Sequence, residues 1–599
     1  MVVSVLLSWG FFKLQVLNVD KYREQSYKNS IRAVTQFPVR GNIYDRDGRL
    51  IVDNRPAFSL YLIPAQTRPE TIDKLSKILH LKIEKIRKKL RRSGRFQAVK
   101  IASFVKQKTL IELLENSLEY PGLEWKVEPR RHYPHPESFS HILGTLGEIN
   151  ENEMKNNPGL EAGDVVGKKG IEKTMDDFLR GKKGIRYVRV DAMGRTLEEV
   201  KYSENYNPEP GEDVYLTIDS RLQQYADSLL ANVVGALIAV DVRTGEVLTL
   251  VSHPNYNLNW FAESVDPVIW KKLISDTLHP LYARAYQSGY PPGSTFKLVA
   301  AIAALNEKII TPEWTAFCPG YYRIGRRVLK DWKRGGHGLQ DLKSAIKNSC
   351  NVYFYQLGLK IGLDVWNKYS KLFRFGQKTG IELTGENPGL VPSRSYYDTI
   401  FGKQGWTKGM LANLAVGQGE LLVTPLQMAQ FAMILANQGF YFPVHLARKI
   451  LDKKSGRQRK FIFKKHIVAG IRPDVFSTVL EGMRQVVNGG TGWRAGIVGI
   501  SVAGKTGTAQ NPQGKDHAWF IGFAPFKTPE IAVAVLIEHG GSGGGHAAPV
   551  AGKFLRRYFY YQGEFDYARE RKILHERWLR QKEKARKDSI QAARDGVEQ

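Results

Sequence analysis

The sequence predicts a multidomain α+β protein: an apolar N-terminal helix, a mixed α/β domain, and a larger domain in which helices flank an antiparallel sheet. Three observations carry that expectation. At 599 residues the chain is too long for one hydrophobic core. Apolar segments at 235–241 and 246–251, joined by a turn at Arg243-Thr244-Gly245, read as an antiparallel hairpin and precede a mostly helical pattern from 294 to 440, and strand patterns return at 499–503, 518–524 and 531–538. That order fits one sheet assembled from both ends of a domain, with helices packed on it. Upstream, Pro208-Glu209-Pro210-Gly211 breaks the pattern and marks a domain boundary.

Taken in order, residues 1–18 are largely apolar, slightly short of the roughly 20 residues of a full membrane span. The segment has no basic leading region and no small-residue cleavage site. An uncleaved anchor is therefore expected ahead of a cleaved signal peptide or a buried helix. A polar helical connector follows at 20–29. Residues 40–52, with Asp47-Gly48 at the turn, read as a β-hairpin. Residues 68–118 read as helical and basic, with apolar positions three to four apart in Lys82–Leu90. Residues 124–216 read as short strands between Gly and Pro turns. A strand at 213–218 and a helix from Asp219 open the second large domain. From 561 onward the chain is rich in Arg, Lys and Glu and reads as a solvated helix or tail.

Hydrophobic residues are 42% and charged residues 25% of the chain, the balance of a globular protein. The formal net charge of +29 suits an anionic partner. The excess is spread over 82–95, 448–465 and 569–587, with no zinc-finger, RRM or helix-turn-helix signature, so nucleic acid is set aside in favour of solvated helix faces near a membrane. Two cysteines exclude a disulfide framework and leave one bridge or a metal pair.

The chemistry starts at Pro291-Pro292-Gly293-Ser294-Thr295-Phe296-Lys297. The Pro-Pro-Gly turn runs into an apolar helix expected to begin at or just before Ser294. Ser294 and Lys297 then share one helix face. A hydroxyl needs a nearby base to act as a nucleophile, and a lysine buried against an apolar helix can lose its proton and serve as one. Free N–H groups at the helix start can hold an oxyanion. The spacing alone means little, because Ser103…Lys106 and Ser344…Lys347 repeat it. Two further motifs give it context. Ser349-Cys350-Asn351 follows an amphipathic segment, and Lys505-Thr506-Gly507-Thr508 follows the apolar run 498–503, read as a strand. Ser349 can relay a proton, and Asn351 can hold a substrate amide or Lys297. Lys505, Thr506 and Thr508 can hold a carboxylate, and Gly507 allows a backbone to approach closely, as for a peptide adding beside an edge strand. The ordered triple of Ser-x-x-Lys, Ser-x-Asn and Lys-Thr-Gly points to acyl transfer at a peptide with a free carboxylate.

With those motifs in place, the chain resembles the class B penicillin-binding proteins over nearly its whole length. Arg40-Gly41-Asn42-Ile43-Tyr44-Asp45-Arg46, Gly167–Lys173, Leu179-Arg180-Gly181 and Asp191-Ala192-Met193-Gly194-Arg195 look like motifs of their pedestal domain. Tyr290–Lys297, Gly417-Gln418-Gly419, Thr424-Pro425-Leu426-Gln427 and Gly504–Thr508 look like their transpeptidase domain. The resemblance implies a single-pass inner-membrane anchor (1–18), a periplasmic pedestal of the dimerisation type (19–211), a D,D-transpeptidase domain of serine β-lactamase-like fold (212–560) and a charged tail (561–599). It implies cross-linking of peptidoglycan stem peptides ending in D-Ala-D-Ala through an acyl-enzyme on Ser294, and acylation by β-lactams. Lys330-Asp331-Trp332-Lys333-Arg334-Gly335-Gly336-His337-Gly338 and Phe354-Tyr355-Gln356 resemble the elongation branch, which implies a RodA-type glycosyltransferase partner and an elongation complex. A carboxypeptidase or β-lactamase-type hydrolase of the same fold and a non-catalytic β-lactam sensor or scaffold are the alternatives.

Both cysteines flank that stretch. Cys318, Asp331, His337 and Cys350 follow one another at intervals of 13, 6 and 13 residues and form a chemically sensible tetrahedral zinc set. Some elongation-type relatives carry a metal here with a carboxylate in place of the first cysteine. A structural Zn2+ would brace the Ser349–Asn351 loop. A Cys318–Cys350 disulfide and two unconnected thiols remain open. The acyl-transfer chemistry itself requires no cofactor, since Lys297 supplies the base. His517 and His546 read as structural or rim residues, and 540–545 reads as a loop at a strand end.

Overall fold

The computed structural model describes residues 7–9, 12–13, 30–91, 93–95, 98–161, 164–191, 196–200, 205–262, 265–403 and 405–595. Of the expected anchor only 7–9 and 12–13 are described, and the connector at 20–29 lies outside the described residues. Among the described residues no helix is long and apolar enough to cross a membrane.

The larger domain is organised on a five-stranded sheet in the order Val247–His253, Gly235–Asp241, Ile531–Ile537, His517–Ala524, Ala503–Ala509, with every neighbouring pair antiparallel. As expected, it is built from both ends of the domain. Its inner strands lack polar alternation because both faces are covered, and every residue of Ile531–Ile537 is buried. On one face lie the helices Ser220–Leu230 and Ala548–Tyr561, whose Leu222, Ala226, Phe554 and Leu555 meet Leu237, Phe520 and Val535. On the other face lies Pro425–Ala436, buried all round as a core helix should be and started by a Thr424/Gln427 capping box. The helices Lys297–Asn306, Asn351–Ile361 and Pro473–Val487 share that helical layer.

One strand expectation is shifted. The run 498–503 is not a strand; the edge strand is Ala503–Ala509 and contains Lys505–Thr508 within it. Its small residues pack closely against their neighbours, which apolarity counts overlook.

The smaller domain corrects two further expectations. Residues 68–118 are not helical throughout. The helices Pro69–Ile78, Ile83–Arg91 and Gln107–Glu115 are interrupted by the strand Val99–Val105, which pairs with Leu50–Leu62. Its β-branched and aromatic residues suit that pairing better than a helix. Residues 124–216 do not hold only short strands either: Leu123–His132 pairs along most of Leu50–Leu62, from Asp53↔His132 to Leu62↔Leu123. Leu60, Leu62, Leu75, Ile86, Leu110 and Leu113 form a separate core there.

The two domains share a seam. The strand Asp213–Leu216 pairs parallel with Ile43–Tyr44 and antiparallel with Ala447–Leu451, so one sheet crosses from one domain to the other. The Arg40–Arg46 motif makes this seam. Asn42 N–H donates to Asp213 Oδ1 (2.7 Å), Ser220 Oγ donates to Asp45 Oδ2 (2.6 Å), and Arg46 pairs with Glu246 (3.0 Å). Arg40 and Arg131 enclose the buried Glu172 carboxylate, each at 2.7 Å. Removing one partner of such a buried pair costs about 3–5 kcal/mol. The charged C-terminal stretch is the helix Tyr567–Asp595, held to the domain by Glu570 and Arg556 at 2.9 Å.

Candidate active site

Ser294 stands on a tight turn. Gly293–Phe296 forms one turn of 3₁₀ helix, and the α-helix proper starts at Lys297, three residues later than the expected start at Ser294. Gly293 explains the difference. Its φ is +56°, its N–H donates to Gly417 O at 2.9 Å, and a Cβ there would lie 2.6 Å from Thr508 O. The turn is thus wedged between the Gly417 loop and the edge strand. Only glycine combines that φ with that approach.

Lys297 opens the helix from inside the core and is fully buried. Among the described residues, its Nζ hydrogen bonds all go to the Ser-x-Asn loop and none to Ser294. They reach Ser349 O at 2.8 Å, Asn351 Oδ1 at 2.7 Å and Ser349 Oγ at 3.5 Å. Burial lowers the Lys297 pKa to about 8, against an opposing pull from Cys350, Asp331 and Cys318. Lys505 is fully buried as well, and Nζ donates to Ser349 Oγ at 2.8 Å and to Thr506 O at 3.0 Å. Burial and then the charge of Lys297 push its pKa well down. The Ser349 hydroxyl therefore bridges two desolvated amines. Ser349 holds φ at +54°, a strained value for a non-glycine residue.

The edge strand presents the third motif beside the turn. Thr508 is exposed, whereas Thr506 is buried and shares a 2.7 Å hydrogen bond with Thr491. Gly507 differs from expectation. The close approach it permits is that of the nucleophile turn, because a Cβ there would meet Pro292 O at 2.8 Å and Thr295 Cγ2 at 3.0 Å. Ala503–Ala509 is paired on one side only within its sheet, leaving an edge to which an extended peptide can add.

Cys318, Asp331, His337 and Cys350 converge behind the Ser349 loop, with one ligand atom of each within 4.8 Å of all the others. Cys318 Sγ lies 3.6 Å from Asp331 Oδ2 and 3.7 Å from His337 Nδ1, while Cys350 Sγ lies 3.5 Å from Asp331 Oδ2. Both cysteines are free thiols. Asp331 also accepts from the backbone N–H groups of Asn351 (2.7 Å) and Val352 (3.1 Å), capping the helix Asn351–Ile361. Burial raises the Asp331 pKa, but hydrogen bonds from His337 and the backbone N–H groups of Lys333 and Val352 outweigh it and hold the carboxyl well below the usual range.

Sequence reasoning missed the part played by Gln418, whose Nε2 donates to Thr508 O at 3.2 Å and closes the turn against the edge strand. Its signal was the Gly417-Gln418-Gly419 motif, which resembled the transpeptidase domain but carried no role for the glutamine. The repeated motifs elsewhere have local duties. Ser344 forms a capping box with Asp341, and in Lys378-Thr379-Gly380, a second Lys-Thr-Gly in the chain, Thr379 binds the Glu386 carboxylate. His517 Nδ1 accepts from His539 N–H at 3.2 Å, in keeping with a structural part.

Residues 235–556 match the family model for the penicillin binding protein transpeptidase domain, and residues 35–216 match that for the penicillin-binding protein dimerisation domain. The chain is 33% identical to the peptidoglycan D,D-transpeptidase MrdA of Haemophilus influenzae, over 93% of this chain and 90% of that protein. Among solved structures it is similar to the Helicobacter pylori penicillin-binding protein PBP2 in complex with MreC, with a TM-score of 0.77 at 29% identity over 89% of this chain and 99% of that one. It is also similar to a chain of a peptidoglycan synthase complex that coordinates polymerization and crosslinking, with a TM-score of 0.71 at 29% identity over 93% and 96% of the two chains.

Proposed function

The chain belongs to the penicillin-binding protein transpeptidase family, and from that premise we propose that Ser294 is the nucleophile of an elongation-type peptidoglycan D,D-transpeptidase. Lys297, as the neutral amine, takes the Ser294 proton as Oγ attacks the carbonyl of the penultimate D-Ala. The Gly293 N–H is taken by Gly417 O, so the oxyanion is held by backbone N–H groups from Ser294 onward in the turn. The Ser349 hydroxyl passes a proton to the amide nitrogen, the C–N bond breaks and terminal D-Ala leaves. The amine of a neighbouring stem peptide then attacks the ester and restores Ser294. Lys505 and the exposed Thr508 hold the terminal carboxylate, with Asn351 keeping Lys297 in place, whereas the Thr506 hydroxyl expected there is engaged by Thr491. β-Lactams acylate the same serine.

The observation that carries this reading is the Ser349 hydroxyl shared between two buried amines, Lys505 Nζ at 2.8 Å and Lys297 Nζ at 3.5 Å. Labelling with a fluorescent penicillin, wild type against Ser294→Ala, tests it. Loss of the label in the variant is expected, and equal labelling overturns the reading.

A structural zinc ion belongs to the same proposal. With zinc bonds of about 2.0–2.3 Å, the donors of a tetrahedral site stand roughly 3.3–3.8 Å apart. Cys318 Sγ and Cys350 Sγ stand 3.6 and 3.5 Å from Asp331 Oδ2, and Cys318 Sγ stands 3.7 Å from His337 Nδ1, three donor separations in that range. Cys318, Asp331, His337 and Cys350 would hold the ion, which when bound would keep both thiols deprotonated and brace the loop that carries Ser349 and Asn351. The family and the apolar run at 1–18 further support a single-pass inner-membrane protein with its bulk in the periplasm. Likewise, the similarity to an MreC-bound relative and to a synthase complex supports a RodA-type polymerase and MreC-like partners.

A further inference from the structure

Glu538 lies just past the end of the strand Ile531–Ile537 and takes no part in the chemistry above. Its Oε1 accepts from Arg284 Nε at 2.8 Å and from the Tyr290 hydroxyl at 2.5 Å. Arg284 and Tyr290 are 5% and 7% exposed, so the cluster is largely out of water. Burial, then the charge of Glu538, pushes the Tyr290 phenol up, which keeps it a donor. Tyr290 is the last residue before the Pro-Pro-Gly turn. Its backbone exchanges two 2.9 Å hydrogen bonds with Val423, and Trp519 Nε1 donates to the next carbonyl, Pro291 O, at 3.0 Å. The Tyr290 ring also lies edge-on to Trp519 and His517.

Arg284 extends the cluster to the domain seam. Nη2 donates to Leu278 O at 2.7 Å and Nη1 to His279 O at 3.3 Å, while the adjacent Pro280 O accepts from His141 of the smaller domain at 2.8 Å. A buried ion pair is seldom the most stabilising way to fill a core, so its worth here is sought in geometry.

We propose that Glu538 is a positioning residue for Ser294: through Tyr290 it sets the entry of the nucleophile turn, and through Arg284 it ties that turn to the loop on which the smaller domain rests. The inference rests on Ser294 being the acylated serine. Small displacements of a nucleophile cost rate without costing affinity, up to about a hundredfold per ångström. Glu538 touches no substrate, so its loss acts on the acylation step and not on binding.

The test is stopped-flow acylation of the detergent-solubilised full chain by a fluorescent penicillin, separating the binding constant from the acylation rate. For Glu538→Gln the acylation rate is expected to fall about tenfold with the binding constant within about twofold of wild type. Tyr290→Phe should behave alike, and the double variant should be no worse than the poorer single one, as expected of residues that act as a unit. An unchanged acylation rate, a loss confined to binding, or additive losses overturn the proposal. Should Glu538→Gln not fold, Tyr290→Phe alone decides, a lowered rate supporting the proposal and an unchanged one overturning it. Wild type labelled elsewhere than at Ser294 overturns this inference and the functional reading together; labelling at Ser294 with indifferent variants overturns this inference alone.

Discussion

Lys505 Nζ and Ser349 Oγ are 2.8 Å apart, inside a pocket where Lys505 is wholly buried. Lys297 reaches the same hydroxyl at 3.5 Å. Two ammonium groups around one oxygen in a desolvated site repel each other, and the pair favours a state with a neutral amine. The charge of Lys297 acts on Lys505, while Lys297 is lowered by its own burial toward the neutral form that a general base requires.

The first prediction concerns pH. Burial lowers Lys297 from 10.5 to about 8, and only the neutral amine accepts the Ser294 proton. The neutral fraction rises with pH, so the acylation rate should climb through a midpoint near 8 and then level off. Rates measured with a pH-stable β-lactam check this; a flat profile between about pH 6 and pH 9 contradicts it.

Ser349→Gly separates strain from chemistry. Ser349 sits at φ +54°, which glycine adopts without cost. The melting temperature should hold or rise slightly while acylation falls by about 10²–10⁴, the usual worth of a proton-transfer group. Unimpaired acylation would remove Ser349 from the mechanism.

Gly507→Ala should act through the nucleophile turn. The new methyl would sit 2.8 Å from Pro292 O and 2.9 Å from Trp519 Cβ. Overpacking of this kind costs about 1–3 kcal/mol. Thermal unfolding should report that loss, and acylation should slow with it as the turn shifts.

For the Cys318–Cys350 cluster the expectation is one zinc per chain by elemental analysis. Chelation, or Cys350→Ser, should lower both the melting temperature and the acylation rate, because the Asp331 oxygen that caps the helix at Asn351 would lose its neighbours. Protein isolated without metal and indifferent to chelator would speak against the site.

His141 predicts acid sensitivity at the seam. Burial lowers its pKa from 6.5 to about 4, aided by Arg284, His253 and Lys169 and opposed by the bond to Pro280 O. The unfolded chain therefore binds the extra proton first. The contribution is complete above about pH 6.5 and is lost progressively as pH falls toward about 4, on the order of 3 kcal/mol. Melting temperatures measured over that range should fall less steeply for His141→Gln than for wild type.

Much of this was legible in sequence because it depends on local order. The hairpin at 235–251 announced itself by two apolar runs around a Thr-Gly turn, and the structure pairs Gly235–Asp241 with Val247–His253. The helix after Ser294 was written in its apolar run behind the Pro-Pro-Gly turn. Where the pattern misled, tertiary pairing overrode it. Val99–Val105 is a strand because Leu50–Leu62 lies beside it, and Ala503–Ala509 is a strand although its residues are small and polar, because His517–Ala524 holds it.

The sequence by itself determined which residue types met the chemistry: a serine three residues from a lysine, a second serine, a second lysine, and four side chains of metal-ligating type at regular spacing. Only the tertiary structure decided how they pair. Lys297 turns to Ser349 and Asn351, more than fifty residues away in the chain, and Gly507 makes room for Pro292. The physical reason is that burial and close approach between distant segments set pKa values and strain, and neither is a property of residues read in line.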